Sequence, residues 1–148
     1  MPALVLAYHS HHVVGPDYAQ NDHVALESDL EQITDAGWRI VGLDAIVATL
    51  TPVPGVDDGR DMAEKVVALT FDDGPRYDAH DFAHPEFGPQ KSFLNLLRDF
   101  RDRHGAKAQP DLVATSFVIA SPEARRVIAE TYDAKYTYME PESMDDAW

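Results

Sequence analysis

Two adjacent carboxylates, Asp72 and Asp73, follow directly on the apolar run Val66-Val67-Ala68-Leu69-Thr70-Phe71, and Gly74-Pro75 turns the chain behind them. An apolar, partly β-branched run this short, stopped by a turn, reads as a buried strand. The acids then stand at the carboxyl end of that strand, where α/β folds place their chemistry. Neighbours in an extended chain project to opposite sides. One carboxylate can therefore grip a metal ion while the other faces a reacting group. Two carboxylates at a buried strand end are costly to desolvate unless they are paired or bound to a cation. The chain carries its own control, because Asp57-Asp58-Gly59 repeats the triplet with no strand before it and with Pro52 and Pro54 nearby. That copy reads as an ordinary solvated loop in which aspartates favour the turn.

Histidines supply the other candidate groups. His9 ends a first strand, Ala3 to Tyr8, in a position that mirrors Asp72, and is expected to line the same cleft. His11 and His12 lead into a loop with Gly15 and Pro16 and read as surface imidazoles. His80 and His84 are four apart, the spacing that puts two imidazoles on one helix face. Pro85 disfavours helix at His84, and residues 76–90 show no clear period, so this stretch reads as a long loop of the kind that is often functional.

The elements that must position these groups follow from periodicity and punctuation. Strands are expected at 3–8, 38–43, 65–71 and 112–119. Leu26, Leu30 and Ile33 mark a helix from about Asp22 to Ala36 with Gly37 as its stop. Asp44 reads as the cap of a helix bearing Ile46, Val47 and Leu50, and a Pro/Gly/Asp-rich loop 51–61 leads to the central strand. Ser92 to His104 carries a stripe of Phe93, Leu96, Leu97 and Phe100, with Gly105 ending it. Ser121-Pro122-Glu123 opens a last helix with Val127, Ile128 and Tyr132, and the chain becomes an acidic, tyrosine-containing tail from Asp133. Strands alternating with helices imply a parallel sheet or barrel.

Composition narrows the function classes. With 148 residues and 45% hydrophobic content the chain reads as one domain with a real core. Cysteine is absent, which excludes disulfides and thiolate metal sites. A net charge of −14 argues against nucleic acid and anionic membrane and favours a cation or a neutral substrate. No window approaches the roughly 18 apolar residues of a membrane span. The start Met1-Pro2-Ala3-Leu4-Val5 lacks a basic segment, so no signal peptide is expected and the default location is cytoplasmic.

Thr70-Phe71-Asp72-Asp73-Gly74-Pro75 resembles the first signature of the polysaccharide deacetylase family, the NodB-homology type of carbohydrate esterase. Val5-Leu6-Ala7-Tyr8-His9 is similar to the Tyr-His first strand of some members, and Ala114-Thr115-Ser116-Phe117-Val118-Ile119 to the strand after the first helix beyond the motif. The resemblance implies Asp72 as catalytic base and Asp73 as metal ligand, with a divalent cation, Zn²⁺, as cofactor. It implies hydrolysis of an N-acetyl group on a carbohydrate, or of a related non-peptide C–N amide, with His9 expected at the substrate. It also implies an irregular (β/α) barrel. A closed barrel normally takes roughly 200 or more residues, so residues 1–148 are expected to be a single domain forming the amino-terminal portion of a longer one. The family's second signature, His-Ser/Thr-x-x-His, which supplies two imidazole ligands, is not found, nor are its later groove and general-acid motifs. A phosphatase of the haloacid dehalogenase type also places its nucleophile after a hydrophobic strand but needs Asp-x-Asp, whereas these acids are adjacent. The missing histidine motif leaves a non-catalytic metal- or carbohydrate-binding module, or an inactive fragment, as the alternative.

Overall fold

A computed structural model describes residues 2–50 and 64–131 of the chain. The loop expected at 51–61, the Asp57-Asp58-Gly59 triplet, Tyr132 and the acidic tail lie outside them. Ten elements run in the order β1 (Ala3–Tyr8), α1 (Asp22–Asp35), β2 (Arg39–Ile40), α2 (Leu43–Leu50), β3 (Val66–Phe71), β4 (Phe82–His84), β5 (Gly88–Gln90), α3 (Phe93–His104), β6 (Ala114–Ser116) and α4 (Pro122–Thr131). Two single turns of 3₁₀ helix, Tyr18–Gln20 and Arg76–Asp78, precede α1 and follow β3. The fold is mixed α/β, built on a parallel sheet of β1, β2, β3 and β6. Among the described residues this sheet is open, without barrel closure. No described helix is long and apolar enough to cross a membrane.

β3 is central and every one of its residues is buried. One edge pairs with β1 along its whole length, from Ala3↔Val66 to Tyr8↔Phe71. The other edge is shared: β2 takes its start (Arg39↔Val66, Ile40↔Val67) and β6 its end (Leu69↔Ala114 to Phe71↔Ser116). This sharing explains why the strands expected at 38–43 and 112–119 are so short, since β3 has no more ladder to offer either. Single bonds prolong the pairing, from the Val41 amide to the Val67 carbonyl (2.9 Å) and from the Phe117 amide to the Phe71 carbonyl (2.8 Å).

Alternate residues of β3 feed two separate cores, as a pleated strand requires. Val67, Leu69 and Phe71 pack with Leu26 and Leu30 of α1 and with Phe93, Leu96 and Phe100 of α3. Val66 and Ala68 face the other way, against Ile46 of α2. Asn21 caps α1 by accepting from the His23 amide (2.9 Å), and Ser92 caps α3 by accepting from the Asn95 amide (3.2 Å). Asp44 lies within the first turn of α2 rather than capping it, where its charge still suits the helix dipole.

Residues 76–90 are not one long loop. β4 and β5 form an antiparallel hairpin, Phe82↔Gln90 to His84↔Gly88. Strands of three residues with Pro89 among them show no periodicity to read. The hairpin is pinned from elsewhere, by Asn21 Nδ2 donating to Gln90 Oε1 at 2.9 Å.

Candidate functional site

The ladder of β3 does not stop at Phe71. The Asp72 amide still donates to the Tyr8 carbonyl (2.9 Å), and the Asp73 carbonyl accepts from the Ile119 amide (3.1 Å). Between these bonds the backbone turns left-handed at two residues running, Asp73 (φ +72°) and Gly74 (φ +68°). Asp73 is the sole non-glycine residue with positive φ among the described residues. Asp and Asn tolerate this region better than other side chains, and such strain gathers at functional sites. A glycine is required next to it, because a Cβ on Gly74 would lie 2.8 Å from the Cα of Val118.

The segment after β1 brings histidines to these acids. Asp22, in the first turn of α1, accepts from the His9 amide (2.7 Å) and lies 2.7 Å from His12 Nδ1. The His12 amide closes the turn on the His9 carbonyl (2.8 Å). His9 Nε2 then stands 3.9 Å from Asp72 Oδ2, and His11 Nε2 stands 3.8 Å from Asp73 Oδ2. Their rings meet edge to face at 5.6 Å. Both carboxylate–imidazole separations are too long for a direct hydrogen bond and short enough for a charge or one bridging ligand to couple them. The His11 side chain is only 14% exposed against 43% for His9. Burial pulls the His11 pKa down to about 4 against the opposing charge of Asp73. At neutral pH its ring is uncharged and has a lone pair to offer.

A third carboxylate braces this rim. Asp78 accepts from Ser10 Oγ (2.6 Å) and from Ser116 Oγ (3.0 Å), tying the ends of β1 and β6 together across β3. Burial holds its pKa above the usual carboxylate range, the two hydroxyls oppose this, and the charges of Asp73 and Asp72 reinforce it. Ser10 is wholly buried, and its carbonyl lies 2.7 Å from Nε2 of the buried His23.

The histidine expectations therefore resolve unevenly. His9 stands beside Asp72. His11, read from sequence as a surface imidazole, is a half-buried neighbour of Asp73, because Asp22 folds the 9–12 turn back over the strand ends. His80 is exposed after the 3₁₀ turn, and His84 is buried in the hairpin. There His84 Nδ1 accepts from the amides of Glu86 (3.1 Å) and Phe87 (3.2 Å), so it braces the turn and shares no helix face with His80. Sequence reasoning missed Asp78, whose serine partners lie 68 and 38 residues away.

A catalytic zinc takes three protein donors and a structural one four. Asp73 and His11 are of the right chemical type, a carboxylate and a neutral imidazole. Among the described residues no three His, Asp or Glu side chains are arranged to hold a metal ion. Asp72 and Asp73 open instead into a cleft of about 470 Å³, walled by Thr70, Val5, Leu43 and the stretch Phe117 to Ile119.

No protein-family model matches the sequence, and no curated protein matches it. Among solved structures, the Streptococcus pyogenes deacetylase PplD in complex with acetate aligns with 93% of this chain and 69% of its own, at 14% identity and a TM-score of 0.36. A likeness that distant carries no weight for the site, which stands on its own residues.

Proposed function

We propose that this chain carries the acidic half of a metal-dependent hydrolase site that removes acetyl groups from an N-acetylated carbohydrate or cleaves a related non-peptide amide. One observation supports this above the others: two adjacent acids leave a buried central strand, and each faces a histidine from the neighbouring strand end at 3.8–3.9 Å. In this reading Asp72 accepts the proton of the attacking water. Asp73 with His11 provides two donors to a divalent cation such as Zn²⁺, with a further donor from outside the described residues. A divalent cation bound there would lower the pKa of its water toward about 7 and polarise the scissile carbonyl. His9, half-buried beside Asp72, contacts the substrate. The missing third donor is the observation that favours the second reading, a binding module without turnover.

The two acids separate the roles. Asp72→Asn keeps the size of the side chain but removes the proton acceptor, so turnover falls by about 10²–10⁴ with cation content unchanged. Asp73→Asn removes an anionic donor, so cation content falls and excess cation restores part of the activity. Deacetylation of an N-acetyl-sugar oligomer and bound metal are measured for both variants. Cation loss in the Asp72 variant alone reverses the two roles, and unchanged turnover in both removes the hydrolase reading.

A further inference from the structure

A second cleft, of about 730 Å³, opens between α3, the turn that follows Gly74, and β6. Its floor is apolar, with Phe71, Leu97 and Leu112. Three arginines line it: Arg98 and Arg101 on α3, and Arg76 on the 3₁₀ turn. Arg98 and Arg101 are three residues apart, so they are neighbours on one face of the helix, while Arg76 comes from a separate element.

Such a concentration of positive charge runs against the chain as a whole, which has 12 lysines and arginines against 26 acids. Of the other described arginines, Arg39 pairs with Glu64 and Asp111, Arg103 with Glu27 and Glu31, and Arg126 with Glu123, while Arg125 Nε donates to the Ile119 carbonyl. Arg76, Arg98 and Arg101 form no ion pair with a carboxylate among the described residues. They are nonetheless held. Arg101 Nη2 donates to the Leu112 carbonyl (3.0 Å), Arg98 Nη1 donates to Asn95 Oδ1 (3.2 Å), and the Arg76 guanidinium lies 5.6 Å from the centre of the Tyr77 ring. A guanidinium has five N–H donors, so each keeps most of them for a ligand, and its orientation by neighbours reduces the ordering that binding requires. Asp78 lines the same cleft, but both its oxygens already accept from the hydroxyls of Ser10 and Ser116.

We infer that this cleft binds an organic anion, a carboxylate or phosphate carried on an apolar or sugar body, with Arg98 and Arg101 on one side of the anionic group and Arg76 on the other. Planar guanidinium groups suit both anions because they give paired, charge-assisted hydrogen bonds. The apolar floor accepts the body. The net charge alone points to a neutral ligand, and the local distribution reverses that. Gly74 and Pro75 border the cleft immediately after the two acids. If the hydrolase reading above holds, and only in that step does the inference rest on it, the substrate carries an anionic group beyond its acetylated end.

Calorimetric titration tests the cleft without turnover, so its outcome is independent of the hydrolase reading. Phenyl phosphate, benzoate and the neutral benzyl alcohol are the probes, at low and at raised ionic strength. At least one anion is expected to bind about tenfold or more tightly than benzyl alcohol, with the preference shrinking as salt rises. The stronger of the two anions tells phosphate from carboxylate. The preference should disappear in the Arg98→Gln, Arg101→Gln double variant, weaken in Arg76→Gln, and survive in Arg39→Gln, whose arginine does not line the cleft and is paired with Glu64 and Asp111. Equal binding of the neutral probe, no binding of either anion, or a preference that survives the double variant overturns the inference.

Discussion

Gly74→Ala tests the geometry that presents the two acids. Gly74 has φ +68°, and an L-residue in the left-handed region costs roughly 1–2 kcal/mol. The added Cβ would also lie 2.7 Å from Val118 Cγ2 and 2.8 Å from Val118 Cα. The side-chain atom can swing away, whereas the backbone atom can move only with the segment that follows β6. Val118 sits between Phe117 and Ile119, whose amides bond the Phe71 and Asp73 carbonyls at 2.8 and 3.1 Å. Shifting that segment enough to lose one of these bonds adds roughly 1 kcal/mol, for a total of about 2–3 kcal/mol. Gly37→Ala isolates the first contribution, because Gly37 has φ +69° and nothing within 4 Å of its added Cβ. Any gain from stiffening the unfolded chain applies to both variants alike. Urea unfolding of the two, compared by midpoint at a common slope, should show Gly74→Ala the less stable by about 1 kcal/mol. Equal losses would mean that Val118 does not close on the turn, and the placement of Asp73 derived from that contact would fail with it.

Burial of His11 predicts a pH dependence. Its folded pKa of about 4 lies below the ordinary 6.5. The unfolded chain therefore binds the proton more readily between those values, and stability falls as pH drops from 6.5 toward 4. The upper limit is about 3–4 kcal/mol, because each pH unit between the two values contributes at most about 1.36 kcal/mol. Urea unfolding across this range should be less steep in His11→Asn than in the parent, and parallel curves would refute the assignment. His84→Ala leaves the Glu86 and Phe87 amides without their acceptor and should cost roughly 1–3 kcal/mol, read as a drop in melting temperature. Zn²⁺ affinity measured on the same variant should not change, and a marked drop would restore His84 as a ligand.

The central strand, its position between neighbours and the two acids at its carboxyl end are legible in the residues themselves. An apolar run bounded by Asp-Asp-Gly-Pro offers few local alternatives, and its burial on both faces follows from carrying one polar side chain, Thr70, whose hydroxyl donates to the Leu6 carbonyl (3.3 Å). The helix from Phe93 to His104 is equally local, since its stripe, its serine cap and its terminal glycine all lie within one stretch. What the residues could not disclose depends on groups distant in sequence meeting in space. The β4–β5 hairpin has strands too short to show a period and is pinned by Asn21, 69 residues from Gln90. His11 becomes a half-buried neighbour of Asp73 only because Asp22 anchors the 9–12 turn, and Asp78 joins the rim only where β1 and β6 flank β3. The arginine cleft is hidden for the same reason: net charge counts every residue equally, while a ligand meets only those that packing brings to one wall.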